Sequence, residues 1–213
     1  MSQVLFSQIK LRYRQPLGVL LLLAGAVIGS GASSSHAATY LLEPNNSNVH
    51  FAIDHFNTST NTGGFYNLTG QLDYDPHAKT GRISLVIPIN SLNTGNKAFD
   101  LTLTGPDFFD VEKFPLASFE STKWYFADDS ASGTAGSDVA KVDGNLTMHG
   151  ITNPITLTAT KFNCYFSFIA KKPVCGGDFT ATIDRTKWDM SKYTLLGITE
   201  KVTLNIQIEA AKQ

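Results

Sequence analysis

Charge of either sign is scarce in this sequence. Lys and Arg number 17 and Asp and Glu 18 among 213 residues, together 16% of the chain, for a formal net charge of −1. So balanced a composition gives phosphate backbones no general attraction, which removes nucleic acid as an expected partner and leaves only a local basic patch to consider. Cysteine is scarcer still. Two residues are far too few for a disulfide-framework miniprotein. Low charge combined with 42% hydrophobic residues also excludes a disordered chain, and the length is enough for one good core.

The catalytic signatures are missing too. There is no Gly-x-Ser-x-Gly elbow, no His-Glu-x-x-His, no P-loop and no dinucleotide glycine fingerprint. Asp184 with Asp189, or a serine with His149, remain as residues that a fold could bring together, but turn and surface roles are the commoner ones. No catalytic residue, no cofactor and no enzymatic activity is therefore assigned. Metal ligation has no better basis. His50 and His55 differ by five, so in a strand they point to opposite faces, while His77 and His149 lie beside Pro76 and Gly150 in turn-forming contexts.

Long apolar runs are absent except near the N-terminus. Lys10, Arg12 and Arg14 precede an uncharged run from Leu17 to Ile28, and small residues follow up to Ser35-His36-Ala37. This is the pattern of a secretory signal peptide cleaved after Ala37, since a dozen apolar residues fall short of the roughly 20 that cross a bilayer. The expected organisation is a cleaved signal peptide at 1–37 and a single domain at 38–213, with no transmembrane segment in the mature protein. Cleavage removes three positive charges and leaves a net charge of −4. The expected location is periplasmic or otherwise extracytoplasmic, where Cys164 and Cys175 meet oxidising conditions. They flank Lys171-Lys172-Pro173, a segment suited to turning the chain back, so a structural disulfide is expected; a redox pair would want Cys-x-x-Cys spacing.

What the mature chain does have is alternation. Val202, Leu204, Ile206 and Ile208 are separated by Thr203, Asn205 and Gln207, the pattern of a half-buried strand. The same period runs through Val49–Ile53, Phe65 toward Leu72, Ile83–Ile87, Ala117–Phe126, Val142–Met148, Ile155–Ala159 and Phe179–Ile183, which makes eight strands. Asp75-Pro76 through Gly81, and Gly150 with Asn153-Pro154, supply turns. Ala131 to Asp138 reads as a loop. The stretch from Ser91 to Pro115 lacks alternation and is long for a bare loop, so a short helical insertion is expected between the third and fourth strands. Pro106-Asp107 suits its first turn and Pro115 its end. The fold class is all-β, and alternation alone leaves a sandwich and a closed barrel open.

His55 continues the inward face of Val49, Phe51 and Ile53, where it would either hold a ligand head group at a mouth or be satisfied by backbone. Phe108 and Phe109, between Asp107 and Asp110, would be either a lid over an opening or an anchor for the long connection. Trp124 and Trp188 read as packing residues.

Taken in order, a series of short motifs resembles the YceI-like family of exported, lipocalin-like proteins associated with polyisoprenoid binding. The series comprises Ser47-x-Val49-x-Phe51 with His55, Gly63-Gly64-Phe65, Ser91-Leu92-Asn93-Thr94 and Asp100. It continues with Asp107 to Val111, Phe114-Pro115, Phe119-x-Ser121-Thr122, Gly144-x-Leu146-Thr147-x-His149-Gly150-x-Thr152-x-Pro154 and Asp184-Arg185-x-x-Trp188-x-Met190. The resemblance implies an eight-stranded antiparallel lipocalin-like barrel holding the chain of an isoprenoid lipid, a quinone or another long-chain amphiphile, for transport, storage or stress protection. Phe51, Ile53, Phe65, Leu85, Phe119, Leu157 and Phe179 are then the expected cavity wall, and His55, Phe108 and Phe109 the expected mouth. Three positions depart from the family pattern by losing polar or basic groups: Asn46, Gly64 and Phe99. Their loss points toward a neutral head group. The rivals are a hydrolase or isomerase working in the cavity and a stress protein with a packed barrel, and both a monomer and a homodimer stay open.

Overall fold

The structure is a computed structural model that describes residues 37–127 and 139–213. The stretch assigned above to a signal peptide, through residue 36, and the Ala131 to Asp138 loop lie outside the described residues.

Ten strand segments form one antiparallel sheet that closes on itself. They are β1 (Ala38–Leu42), β2 (Asn48–His55), β3 (Ser59–Phe65), β4 (Thr69–Asp75), β5 (Thr80–Pro88), β6 (Leu116–Phe126), β7 (Val139–Met148), β8 (Ile151–Ser167), β9 (Lys172–Asp184) and β10 (Lys201–Lys212). The expected eight staves emerge because two of them are broken. β1 and β2 both pair with β10, at opposite ends of it, and are separated by a 3-10 turn at Pro44–Asn46. There the buried Ser47 hydroxyl donates to the Glu209 carbonyl and accepts from the Glu209 amide, replacing ladder bonds that Pro44 cannot help make. β3 pairs with β2 and β4 with β1, so they too share a stave, interrupted where Asn67 takes a left-handed conformation. A bridge between Gly64 and Asn93 seals the gap beside β3. The closed, eight-staved antiparallel barrel settles the choice that alternation left open.

Two local readings change. The helix α1 spans Lys97–Thr104, ahead of Pro106 instead of beginning there. Asn96 is the stronger start signal, because its side chain accepts from the Ala98 and Phe99 amides, and Pro106 directly follows the C-cap Gly105. The insertion nevertheless falls between the third and fourth staves, as expected. Asn153-Pro154 is not a turn but lies inside β8. Only His149 and Gly150, both with positive φ, turn the chain. Pro154 is tolerated because β8 pairs only with β7 there, its ladder with β9 beginning at Thr158.

The interior has two unlike halves. Toward the β8–β9 turn it is filled by aromatic rings: Tyr74 and Phe162 have centroids 5.0 Å apart, Trp124 and Phe162 6.0 Å, and Phe162 and Phe179 6.5 Å. On that side Cys164 and Cys175 face each other across β8 and β9 and are disulfide-bonded. The other half is hollow.

Candidate ligand-binding cavity

Inward positions of every stave converge on a cavity of about 320 Å³. Its walls are built by strand parity: Val49, Phe51 and Ile53 on β2, Leu85 and Ile87 on β5, Phe119 on β6, Leu157 on β8, and Val202, Leu204 and Ile206 on β10. Leu85, Leu157 and Ile206 also border a separate void of about 10 Å³ on the aromatic side. They are the floor.

Of the expected wall residues, Phe51, Ile53, Phe65, Leu85, Phe119 and Leu157 line this cavity. Phe179 does not. It borders the small void under the floor, packed against Phe162, because β9 reaches the cavity only further along, at Ile183. His55, Phe108 and Phe109 all line the cavity. Phe109 meets Phe65 edge-on at 5.3 Å, which fastens the long connection to the inner wall, while Phe108 lies 6.1 Å from Tyr193 across the opening.

The family departures separate in space. Phe99, on α1, lines the cavity. Gly64 faces outward, since a side chain there would strike His50 and Tyr66, and Asn46 is exposed in the 3-10 turn. Only one of the three positions therefore faces the cavity.

Sequence reasoning missed the charged rim. Asp54, Arg185 and Lys192 also line the cavity. The buried Arg185 guanidinium donates through Nε to the Thr199 carbonyl at 3.0 Å, through Nη2 to the Lys192 carbonyl at 3.0 Å and through Nη1 to the Met190 carbonyl. Burial lowers its pKa below the ordinary arginine value, against the opposing fields of Glu200 and Asp184. Lys192 forms an ion pair with Asp107 at 3.1 Å, and Asp54 accepts from the Asn57 amide. These three charged groups all have partners within the protein, and only Lys192 has an oppositely charged one. The Asp184-Arg185 motif was the available signal, but nothing in its sequence tells that arginine would clamp carbonyls of the following loop.

Among the described residues no group of three His, Cys, Asp or Glu is placed to hold a metal ion. No described helix is long and apolar enough to cross a membrane.

The YceI-like domain profile matches residues 40–210. The chain belongs to the YceI-like family. A "UPF0312 protein" of Pseudomonas fluorescens is 32% identical over 199 residues, covering 89% of this chain and 96% of the relative. The Campylobacter jejuni YceI protein superposes with a TM-score of 0.61 at 25% identity, covering 76% of this chain and 90% of that one. A polyisoprenoid-binding domain from Saccharophagus degradans shares the fold, with a TM-score of 0.57 at 18% identity over 84% of this chain and all of that one. In this YceI-like barrel the motif residues are spread between wall and scaffold. Phe51, Phe65, Phe109 and Phe119 line the cavity, whereas the buried Trp188 donates from its indole to the Leu146 carbonyl and locks β7 to the loop after β9.

Proposed function

We propose that this YceI-like protein is an exported lipid carrier that holds the apolar chain of an isoprenoid, quinone or similar amphiphile inside the barrel, with the polar end at the Arg185–Lys192 rim. The observation that carries this reading is a cavity of about 320 Å³ walled by aliphatic and aromatic side chains and open at a polar rim. Its size is at the lower end of small-molecule sites, about 300–1,000 Å³. Each methylene buried there contributes roughly 0.8 kcal/mol before ordering costs, so affinity needs no ionic contact. A shared fold with a domain described as polyisoprenoid-binding is consistent with the chemistry. At the rim Lys192 is ion-paired with Asp107 and the Arg185 guanidinium is hydrogen-bonded to carbonyls, so a phosphate would have to compete with existing partners, which favours a neutral hydrogen-bonding head group.

Native mass spectrometry and lipid extraction of protein purified from its own host test the reading. A stoichiometric long-chain lipid is expected; protein that carries none, and takes up neither polyprenol nor quinone in vitro, would overturn it. Tighter binding of a polyprenyl pyrophosphate than of the matching alcohol would overturn the head-group assignment alone.

A further inference from the structure

A conspicuous cluster of exposed apolar side chains sits at the tip of the β8–β9 hairpin. Phe168 is 87% and Ile169 98% exposed, and Tyr165 and Phe166 on the stem are also exposed. Fully exposed Phe and Ile side by side on a convex turn make no contribution to the core, and the cavity reading has no use for them. The turn is well built. The Ser167 hydroxyl accepts from the Ala170 amide, the Phe166 and Phe168 rings meet edge-on at 5.8 Å, and the Cys164–Cys175 disulfide closes the stem below.

Charge decides what such a tip fits. Lys171 and Lys172 follow closely after Ile169, and no acidic residue occurs between Phe162 and Gly177. The hairpin's first acid, Asp178, is paired with Lys161 at 2.8 Å. A protein partner needs on the order of 800 Å² from each side, more than a four-residue turn offers. Two apolar side chains with nearby lysines match a lipid interface, where the chains enter the headgroup boundary and the ammonium groups remain among anionic headgroups.

We propose that the β8–β9 tip docks the protein on anionic bilayers through Phe168 and Ile169, with Lys171 and Lys172 on the headgroups. The tip lies at the end of the barrel opposite the mouth, since β8 runs from the cavity residues Ile155 and Leu157 out to it. A docked barrel keeps its mouth toward the aqueous side. This inference is independent of what the cavity holds.

The test uses the full chain and vesicles of phosphatidylcholine with or without an equal part of phosphatidylglycerol. A Phe168→Trp variant is expected to show emission quenched by lipids with brominated chains, beyond any change in the wild type, and more strongly on the anionic vesicles. Phe168→Ser/Ile169→Ser is expected to lower vesicle affinity at least about tenfold. Lys171→Gln/Lys172→Gln lowers it on anionic vesicles only, and added salt mimics that loss. Phe168, Ile169 and Lys171 lie in the turn and Lys172 opens β9, all outside the core, so the near-ultraviolet circular dichroism of the serine and glutamine variants stays that of the wild type. Emission from the Phe168→Trp variant that is quenched no more than the wild type's, or serine variants that bind vesicles as the parent does, would overturn the proposal whether or not the protein carries a lipid.

Discussion

Arg185 shows how one side chain can hold the mouth together. Its fork reaches carbonyls at Met190, Lys192 and Thr199, on both sides of the rim turn that presents Tyr193. Lysine is compact and cannot span three acceptors, so Arg185→Lys leaves buried carbonyls unpaired. A loss of about 2 kcal/mol is expected, roughly 6 °C in Tm, with faster proteolysis within 190–199. Unchanged melting would remove the clamp from this account. A second residue, Asp143 on β7, contributes to acid behaviour. The Thr156 hydroxyl at 2.7 Å and the Tyr125 hydroxyl at 2.8 Å donate to its carboxylate, holding its pKa below the usual value with help from Lys141 and Lys123. A depressed folded pKa contributes stability that is full above the unfolded value, about 3.9, and is lost as pH falls through the folded one. Denaturation from pH 7 downward should therefore show a decline below about pH 4 that is shallower in Asp143→Asn.

At the scale of elements, the barrel's depth is set by how β5, β8 and β10 meet. Leu157 borders both the cavity and the void below it. Leu157→Ala should merge the two, cost about 3 kcal/mol, and lengthen the chain the barrel accepts; titration with a series of prenols of increasing length measures this. An unchanged length preference would mean that the aromatic rings, not Leu157, set the limit. The β8–β9 pair carries the disulfide, and Cys164→Ala/Cys175→Ala should lower stability by about 2 kcal/mol in urea titrations, because the bond closes only a short loop. Much of this level is legible in the chain, since alternation marks eight staves and parity puts Phe51, Ile53 and Leu85 inward. The exceptions have physical causes. Phe179 has the right parity but the wrong height, and parity says nothing of depth along a stave. The break at Pro44–Asn46 cuts off β1, whose five residues carry too little alternation to be seen alone, and the break at Asn67 falls inside a stretch that reads as a single strand. Arg185 was hidden because hydrogen bonds to distant carbonyls leave no periodic trace.

At the largest scale, the described residues form a barrel asymmetric along its axis, packed where the chain turns at β8–β9 and hollow where α1 and the rim turn approach. The packed rings of Tyr74, Trp124, Phe162 and Phe179 offset the internal packing that the hollow half lacks. That division makes the native state the only state able to enclose an apolar chain, and ligand binding is thereby linked to folding. Saturation at about a hundred times Kd contributes about 2.7 kcal/mol, which for a domain of this size raises Tm by roughly 5–10 °C. Differential scanning fluorimetry with a prenol or quinone should show that rise increasing with the logarithm of ligand concentration. Leu204→Asp puts a carboxylate on the cavity wall, where chain burial is favourable only if the wall is apolar. The same titration on that variant should give no rise, while its far-ultraviolet spectrum remains that of a barrel. A rise of equal size in both proteins would place the ligand on the outer surface and remove the cavity from the mechanism.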